Sequence, residues 1–506
     1  MKKILVAAAL FCAIIAVAKI AILLKKRRES KTEGLISNSG RLSRGAASAA
    51  LATRVASRTA TTKIRQLVSD SEESERLENE LAMKTSEDVV KTLGNMKGAM
   101  MKLGQLASFV DDGLPDSVKE MLAQLQQDAP PMSSELSAKV IRDELGGEPE
   151  KIFKEWNPNP IAAASIGQVH KALTRDGQIV AVKVQYPGVA ETILADLANI
   201  DLAGFATPLI WKGLDLKALT EELRTRLMEE VDYSLEASNQ TMFSDFYEDH
   251  PFIHVPKVFP KLSSNKVLTT EFVEGDRFEV LETWDQEQKD LAAESIYRFA
   301  FRSLYRLHAF NGDPHPGNYL FRGDGKVAFL DFGLVKFFNA EELELLLNII
   351  RFSVITPDSA KQRNAVEKAG FLVPGAPVSD DDVAQFMEVF MALVAQDEDM
   401  QLTPEYASSV ARRVLFGRAS HASVVTYANI PPTFALLQRI NLGLLAILGR
   451  LQATANWRAI SEEIWPEISA EPKSKLGKLE NEWWQDTKKR IAQGEFIHLG
   501  TNTPAS

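Results

Sequence analysis

Cysteine is all but missing from the 506-residue sequence: Cys12 is the only one. That excludes an intramolecular disulfide and any CxxC or Cys2His2 metal site. The seven histidines contain no HExxH pair, so the zinc-protease pattern is absent too. No repeat recurs along the chain, which excludes a solenoid or propeller. Excess basic charge is confined to the front, where residues 1–65 hold 14 Lys or Arg against two Glu, while the whole chain sums to −10. An acidic body behind a basic front end argues against a nucleic-acid protein and for a front end that meets anionic lipid. What is abundant, 45% hydrophobic and 25% charged residues, is the composition of a globular protein with one large core or two moderate ones.

Residues 4–18 form an unbroken apolar run, Lys19 interrupts it, and residues 20–24 resume it. As a helix this stretch rises about 31 Å, roughly a bilayer core. Lys25, Lys26, Arg27, Arg28 and Lys31 follow it, against Lys2 and Lys3 before it. The reading is a single-pass anchor over residues 1–28 with the body on the cytoplasmic side. A cleaved signal peptide is the alternative, because Ala16-Val17-Ala18 is a small-x-small site. Residues 29–70 read as a basic Ser/Ala-rich linker, and residues 71–150 as a helical extension with Leu, Met and Val at spacings of three and four. Residues 151–275 are β-rich, with strands expected at 180–184 and 267–271. Residues 276–470 hold a strand at 327–330 and helices around 342–354, 380–396, 404–416 and 433–452. A tail over 471–506 opens with a surface helix in which Trp483 and Trp484 make a capping contact. Only ten residues separate Arg439 from Arg450, too few to span a bilayer, so the apolar segment there reads as a buried or interfacial helix.

Two clusters carry chemistry. The first is "PIAAASIGQVHKA" at 160–172, followed by the strand "IVAVKVQ", in which Lys183 alternates with Val182 and Val184 and so points to the opposite face. A small-residue loop ahead of a strand-borne lysine is the layout of a phosphate-covering loop and its lysine. The second is "NGDPHPGNYLFRGDGKVAFLDFGLVK" at 311–336. Here Asp313 and Asn318 stand in the D-x4-N spacing of a kinase catalytic loop, and Asp331-Phe332-Gly333 is a D-F-G at the end of an apolar strand. Mg2+ takes oxygen ligands, which Asp331 and the amide of Asn318 supply, while Asp313 faces the γ-phosphate or its acceptor.

With these residues in view, the chain resembles the UbiB family, also called ADCK or AarF-domain proteins, an atypical branch of the protein-kinase-like fold. "MKLGQLAS", with Lys102, Gly104 and Gln105, is similar to the family's KxGQ motif. "EEVDYSLEASN" contains its ExD as Glu230 and Asp232, "AAASIGQVH" its alanine-rich loop, and "GDPHPGN" its catalytic loop. The resemblance covers residues 94 to about 451. It implies an α+β, bilobal kinase-like fold with an N-terminal helical extension and a helical C-terminal region. It implies ATP and Mg2+ as cofactors, with Ile161, Ala162, Ala163, Ala164, Ser165, Ile166, Gly167, Gln168, Val169 and Lys183 around the nucleotide. Asn318 and Asp331 would hold the metal. Asp313, Lys183 and Glu236 would be the catalytic set, and Lys102 and Gln105 would meet Glu230 and Asp232 in a regulatory contact. The family comparison makes Glu236 the partner of Lys183; spacing alone leaves Glu229 and Glu230 open. Glu230, Asp232 and Glu236 are expected within one helix, and the interlobe hinge near 268–275.

Alanines restrict the backbone conformations that glycines allow a phosphate loop, so nucleotide is expected in a different pose, with slow or redirected phosphoryl transfer. No His-Arg precedes Asp313, so the arginine that an activation-loop phosphate would recruit is missing. No A-P-E follows the D-F-G, which leaves little platform for a peptide. The function expected from the resemblance is a membrane-anchored ATPase or small-molecule kinase that supports isoprenoid-quinone (ubiquinone) biosynthesis or membrane lipid homeostasis. Its expected partners are membrane lipid, quinone intermediates or lipid-biosynthetic enzymes, with no nucleic acid. A nucleotide-sensing pseudokinase scaffold is the alternative, and a protein kinase the third reading.

Overall fold

The computed structural model describes residues 133–164, 166–189, 231–416, 424, 426–429 and 431–494, all within one compact unit. Helix α1, Ser134–Leu145, starts where the Ser133 hydroxyl accepts from Leu136 N and stops at Gly146, whose φ of +79° suits glycine. A short turn of helix, α2 (Pro149–Ile152), leads to β1 (Glu155–Trp156). Then follow β2 (Ala162–Ala163), β3 (Gly167–Leu173) and β4 (Ile179–Gln185). In β4 the alternation expected from "IVAVKVQ" is realised: Val180, Val182 and Val184 are fully buried and pack with Val140 and Ile141 of α1. That burial pins the register and turns Lys183 to the other face.

The chain resumes with α3, Tyr233–Phe246, and β5, Ile253–His254. Strand β6, Val267–Glu271, pairs with β4 and completes an antiparallel five-stranded sheet in which β2 and β1 both pair with β3. Helix α4, Phe278–Leu281, and the long α5, Gln286–Arg302, begin the second lobe. A π-helical turn, Ser303–Leu307, extends α5 and delivers β7, Ala309–Asn311. Strands β8 (Tyr319–Phe321), β9 (Val327–Phe329) and β10 (Val335–Phe337) complete the β elements around the second cluster. β5, β9 and β8 form one small sheet, and β7 pairs with β10 in another. The remainder is mostly helical: α6 (Ala340–Ile350), α7 (Ser359–Lys368), α8 (Asp380–Met391), β11 (Met400–Gln401), α9 (Pro404–Phe416) and α10 (Pro432–Arg450). β12 (Thr454–Ala455), α11 (Trp457–Ile464) and α12 (Lys475–Ala492) end it. One large apolar core, from Phe243 to Trp483, unites this lobe, while the valine cluster against α1 is the core of the first. The architecture is the expected bilobal α+β kinase-like fold.

The expectation of a single-pass membrane anchor is corrected. No helix among the described residues is long and apolar enough to cross a membrane, and residues 1–28 lie outside them, so the anchor has no support. The α10 segment, read from its arginines as too short to span and as a buried or interfacial helix, is a packed helix with Leu444, Ile447 and Leu448 buried. Trp483 is buried and makes its capping contact: its indole N–H donates to the Glu248 carbonyl at 3.1 Å.

Candidate active site

Lys183 sits in mid-strand with Val169 of β3 and Leu268 of β6 as its cross-strand partners. Its ammonium donates to both carboxylate oxygens of Glu236, at 2.9 and 2.8 Å, and lies 4.9 Å from the centre of the Tyr233 ring. Glu236 is buried, and a buried carboxylate requires such a partner. Burial alone would lower the pKa of Lys183. The carboxylates of Glu236 and Asp331, with Tyr233, outweigh it and hold the ammonium well above the usual lysine range. Glu236, one of the three glutamates that spacing left open, is in contact, and Glu229 and Glu230 lie outside the described residues.

Helix α3 positions Glu236 from its first turn. Asp232 does not lie inside that helix as expected: it is the N-cap, accepting from Ser234 N at 2.9 Å and Leu235 N at 3.4 Å. Farther along, Asn239 donates to the carbonyl of Phe332 at 3.0 Å, and Phe243 meets the Phe332 ring at 4.9 Å between centroids. The D-F-G is thereby fixed beneath the helix that carries the glutamate. A Cβ placed on Gly333 would stand 3.3 Å from Asp331 Oδ1 and 3.8 Å from Glu236 Oε2. Lys183, Glu236 and Asp331 therefore converge on one spot.

The catalytic-loop segment is tied to the same spot by backbone. Asp313 is buried, and Asn318 donates to its carbonyl at 3.0 Å and to its carboxylate at 3.4 Å. The Asn318 carbonyl accepts from Leu330 N at 3.0 Å, which couples the loop to the residue before Asp331. Asn311, which sequence reasoning noted only as a departure, bridges the two halves: it donates to the Asp331 carbonyl at 2.7 Å and accepts from Asp313 N at 3.2 Å. Gly312 explains the missing arginine. Its N–H bonds the Leu334 carbonyl at 2.7 Å, and a Cβ there would lie 2.9 Å from Leu334 Cδ2, so no side chain fits. Burial and the Asp313 charge together raise the pKa of the Tyr319 hydroxyl.

The alanine-rich stretch is a tight hairpin: Ala162 and Ala163 pair with Val169 and Gln168, and Ala164 N bonds the Gly167 carbonyl at 2.9 Å. Its members diverge. Val169 shares the Lys183 face. Gln168 alternates to the other side, buried and 2.9 Å from the His170 ring, and Ile166 is buried with Tyr233 and Leu268. Ile161 is exposed. Ser165, Glu230, Lys102 and Gln105 lie outside the described residues, so the KxGQ–ExD contact does too. At the expected hinge, Phe272 N bonds the Ile179 carbonyl at 3.1 Å and Asp276 bridges to Phe321 of β8, so this segment does join the lobes. Residues missed from sequence are Tyr233, Asn239 and Asn311; only the last left a signal, as the residue replacing His in the catalytic loop. His250 and His254 do stand four apart, but His250 packs on Trp483 while His254 faces Glu271, and no three-ligand metal group occurs among the described residues.

A lysine–glutamate pair, an Asp-x4-Asn loop and a D-F-G on one spot mark a kinase-like centre, and the ABC1 atypical kinase-like domain model matches residues 124–366. The chain belongs to this ABC1, or UbiB/ADCK, family. Curated relatives include the atypical kinase COQ8, mitochondrial, of Saccharomyces cerevisiae, 36% identical over 48% of this chain and 49% of the relative. The probable serine/threonine-protein kinase abkA of Dictyostelium discoideum is 28% identical over 65% of this chain and 61% of the relative. The chain thus spans about half to three fifths of the length of these ABC1 relatives. The solved complex of Rv3197 with erythromycin from Mycobacterium tuberculosis is 30% identical, covers 78% of this chain and all of that one, and superposes with a TM-score of 0.58. ABC1 relatives are named as kinases, and a kinase-like enzyme of an ATP-using family is the description they support.

Proposed function

We propose that this chain binds ATP with Mg2+ at the Lys183–Asp331 cluster and transfers the γ-phosphoryl group to a small-molecule hydroxyl or to water. The observation that supports this is the pairing of Lys183 with Glu236 beside Asp331, which keeps an ammonium charged and aimed where α- and β-phosphates would lie. The donor set suits magnesium: one carboxylate, Asp331, and one amide oxygen, Asn318, are hard oxygen ligands of the number Mg2+ takes alongside phosphates and water. Bound there, the ion supplies charge neutralisation for the β- and γ-phosphates. Asp313 orients the acceptor oxygen and takes its proton as that oxygen bonds to phosphorus and the bond to ADP breaks. The alanine hairpin, stiffer than a glycine loop, slows or redirects this transfer. Lys102 and Gln105 with Glu230 and Asp232 regulate it. From the likeness to COQ8, the role is support of isoprenoid-quinone (ubiquinone) biosynthesis, with quinone intermediates or lipid-biosynthetic enzymes as partners.

The test is Mg2+-dependent ATP hydrolysis by the full chain beside Lys183→Ala and Asp331→Asn. Both variants should lose turnover by at least about 100-fold. Turnover that survives Asp331→Asn would remove the assigned metal site, and nucleotide binding without turnover would favour the scaffold reading.

A further inference from the structure

The helical part of the second lobe encloses a cavity of about 740 Å3 that shares no lining residue with the Lys183–Asp331 cluster. That volume lies within the range of small-molecule sites and has room for roughly 25 heavy atoms at about 30 Å3 each. Its walls come from α5, α6, α8, α9 and α10 and are mostly aliphatic and aromatic. On one wall the hydroxyl of Tyr297 bonds Ser461 at 2.7 Å, so those polar atoms are already satisfied and present no demand to a ligand. Phe390, 37% exposed, and the exposed Arg413 line it too and mark where it opens to solvent.

Among the polar groups of the lining, which include Arg413, Asn429 and Gln438, one buried atom stands out. Asn441, one turn from Gln438 on α10, carries a buried Oδ1 with no hydrogen-bond partner among the described residues. A buried acceptor is expected to be satisfied. A lone ordered water could meet Asn441 but would leave most of a cavity of about 740 Å3, with its mainly apolar walls, unfilled. A ligand with an apolar body and one hydroxyl donor answers both features at once: the body fills the walls and the donor meets Asn441. We propose that this cavity is a binding site for an uncharged, hydroxyl-bearing, long-chain apolar molecule, held through Asn441.

Equilibrium dialysis of the full chain tests this with three probes: labelled 1-dodecanol, its methyl ether, which keeps chain and oxygen but lacks the donor, and dodecanoate. The expected result is saturable binding of one dodecanol per chain, about tenfold tighter than the ether, as one hydrogen bond to a buried acceptor provides. In Asn441→Leu that preference disappears while the ether still binds and the empty protein melts no lower. Leu445→Trp, which fills the cavity, abolishes binding of both. Non-saturable uptake, equal affinity for alcohol and ether in the parent chain, tightest binding of dodecanoate, or binding undiminished in a folded Leu445→Trp would each overturn the proposal.

Discussion

Glu480 on α12 is the counter-charge for two buried arginines of α5, and its removal should loosen the lobe that carries Asp313. Its carboxylate accepts from Arg298 Nη1 at 2.7 Å and from Arg302 Nε and Nη2 at 3.1 and 2.8 Å. Arg298 has other acceptors, Glu294 and Glu463, both at 2.7 Å. Arg302 is 2% exposed, and Glu480 is its only ion-pair partner among the described residues, so Glu480→Gln leaves a buried guanidinium without a counter-charge. Breaking a buried pair from one side costs about 3–5 kcal/mol; because glutamine still accepts one bond, the lower end, about 3 kcal/mol, applies. At roughly 2 °C per kcal/mol for a unit of this size, the melting temperature should fall by about 6 °C in differential scanning calorimetry. In an Arg302→Met background the same substitution should cost about 1.5 kcal/mol less, since the orphaned charge is gone. A drop under about 2 °C, or strict additivity of the two substitutions, would refute the reasoning.

The same network sets a pH response. Burial, opposed by Glu480, pushes the pKa of His250 down to about 4, so below pH 6.5 the unfolded chain takes up a proton that the folded one refuses. Its contribution is complete above pH 6.5 and declines by about 3 kcal/mol towards pH 4; His250→Asn should flatten that slope in urea melts. Gly167→Ala drives a Cβ into the Val184 carbonyl and to 2.8 Å from the Tyr233 hydroxyl, so it should cost about 3 kcal/mol, seen as earlier loss of amide protection in β3 and β4. Glu236→Gln leaves Lys183 without its bidentate partner and should reduce ATP turnover by about 100-fold, through misplacement of the amine, with an unaltered fold by circular dichroism.

Periodicity sufficed for the elements it singled out: 404–416 and 267–271 are elements with those bounds, and the others shift by a few residues at their ends, but the 17-residue α5 and the shorter α7 were not read from it. The short pairings β5 with β9, β7 with β10 and β11 with β12 were not legible, because two- and three-residue strands carry no pattern of their own and exist only where tertiary contacts bring them together. The helix start was misjudged at Asp232 because an acidic residue suits both a first turn and a cap.

What the sequence determined by itself was local: the D-x4-N and D-F-G spacings, the strand-borne lysine and the family they resemble all lie within short windows of chain. Only the tertiary structure decided that Glu236, 53 residues from Lys183, holds the amine, that Gln168 faces away from it while Ile166 packs with Tyr233 and Leu268, and that Gly312 has no room for a side chain. The physical reason is that these outcomes depend on which face of a strand and which turn of a helix meet across the core, and burial of Val180, Val182 and Val184 settles that register from the opposite side of the sheet.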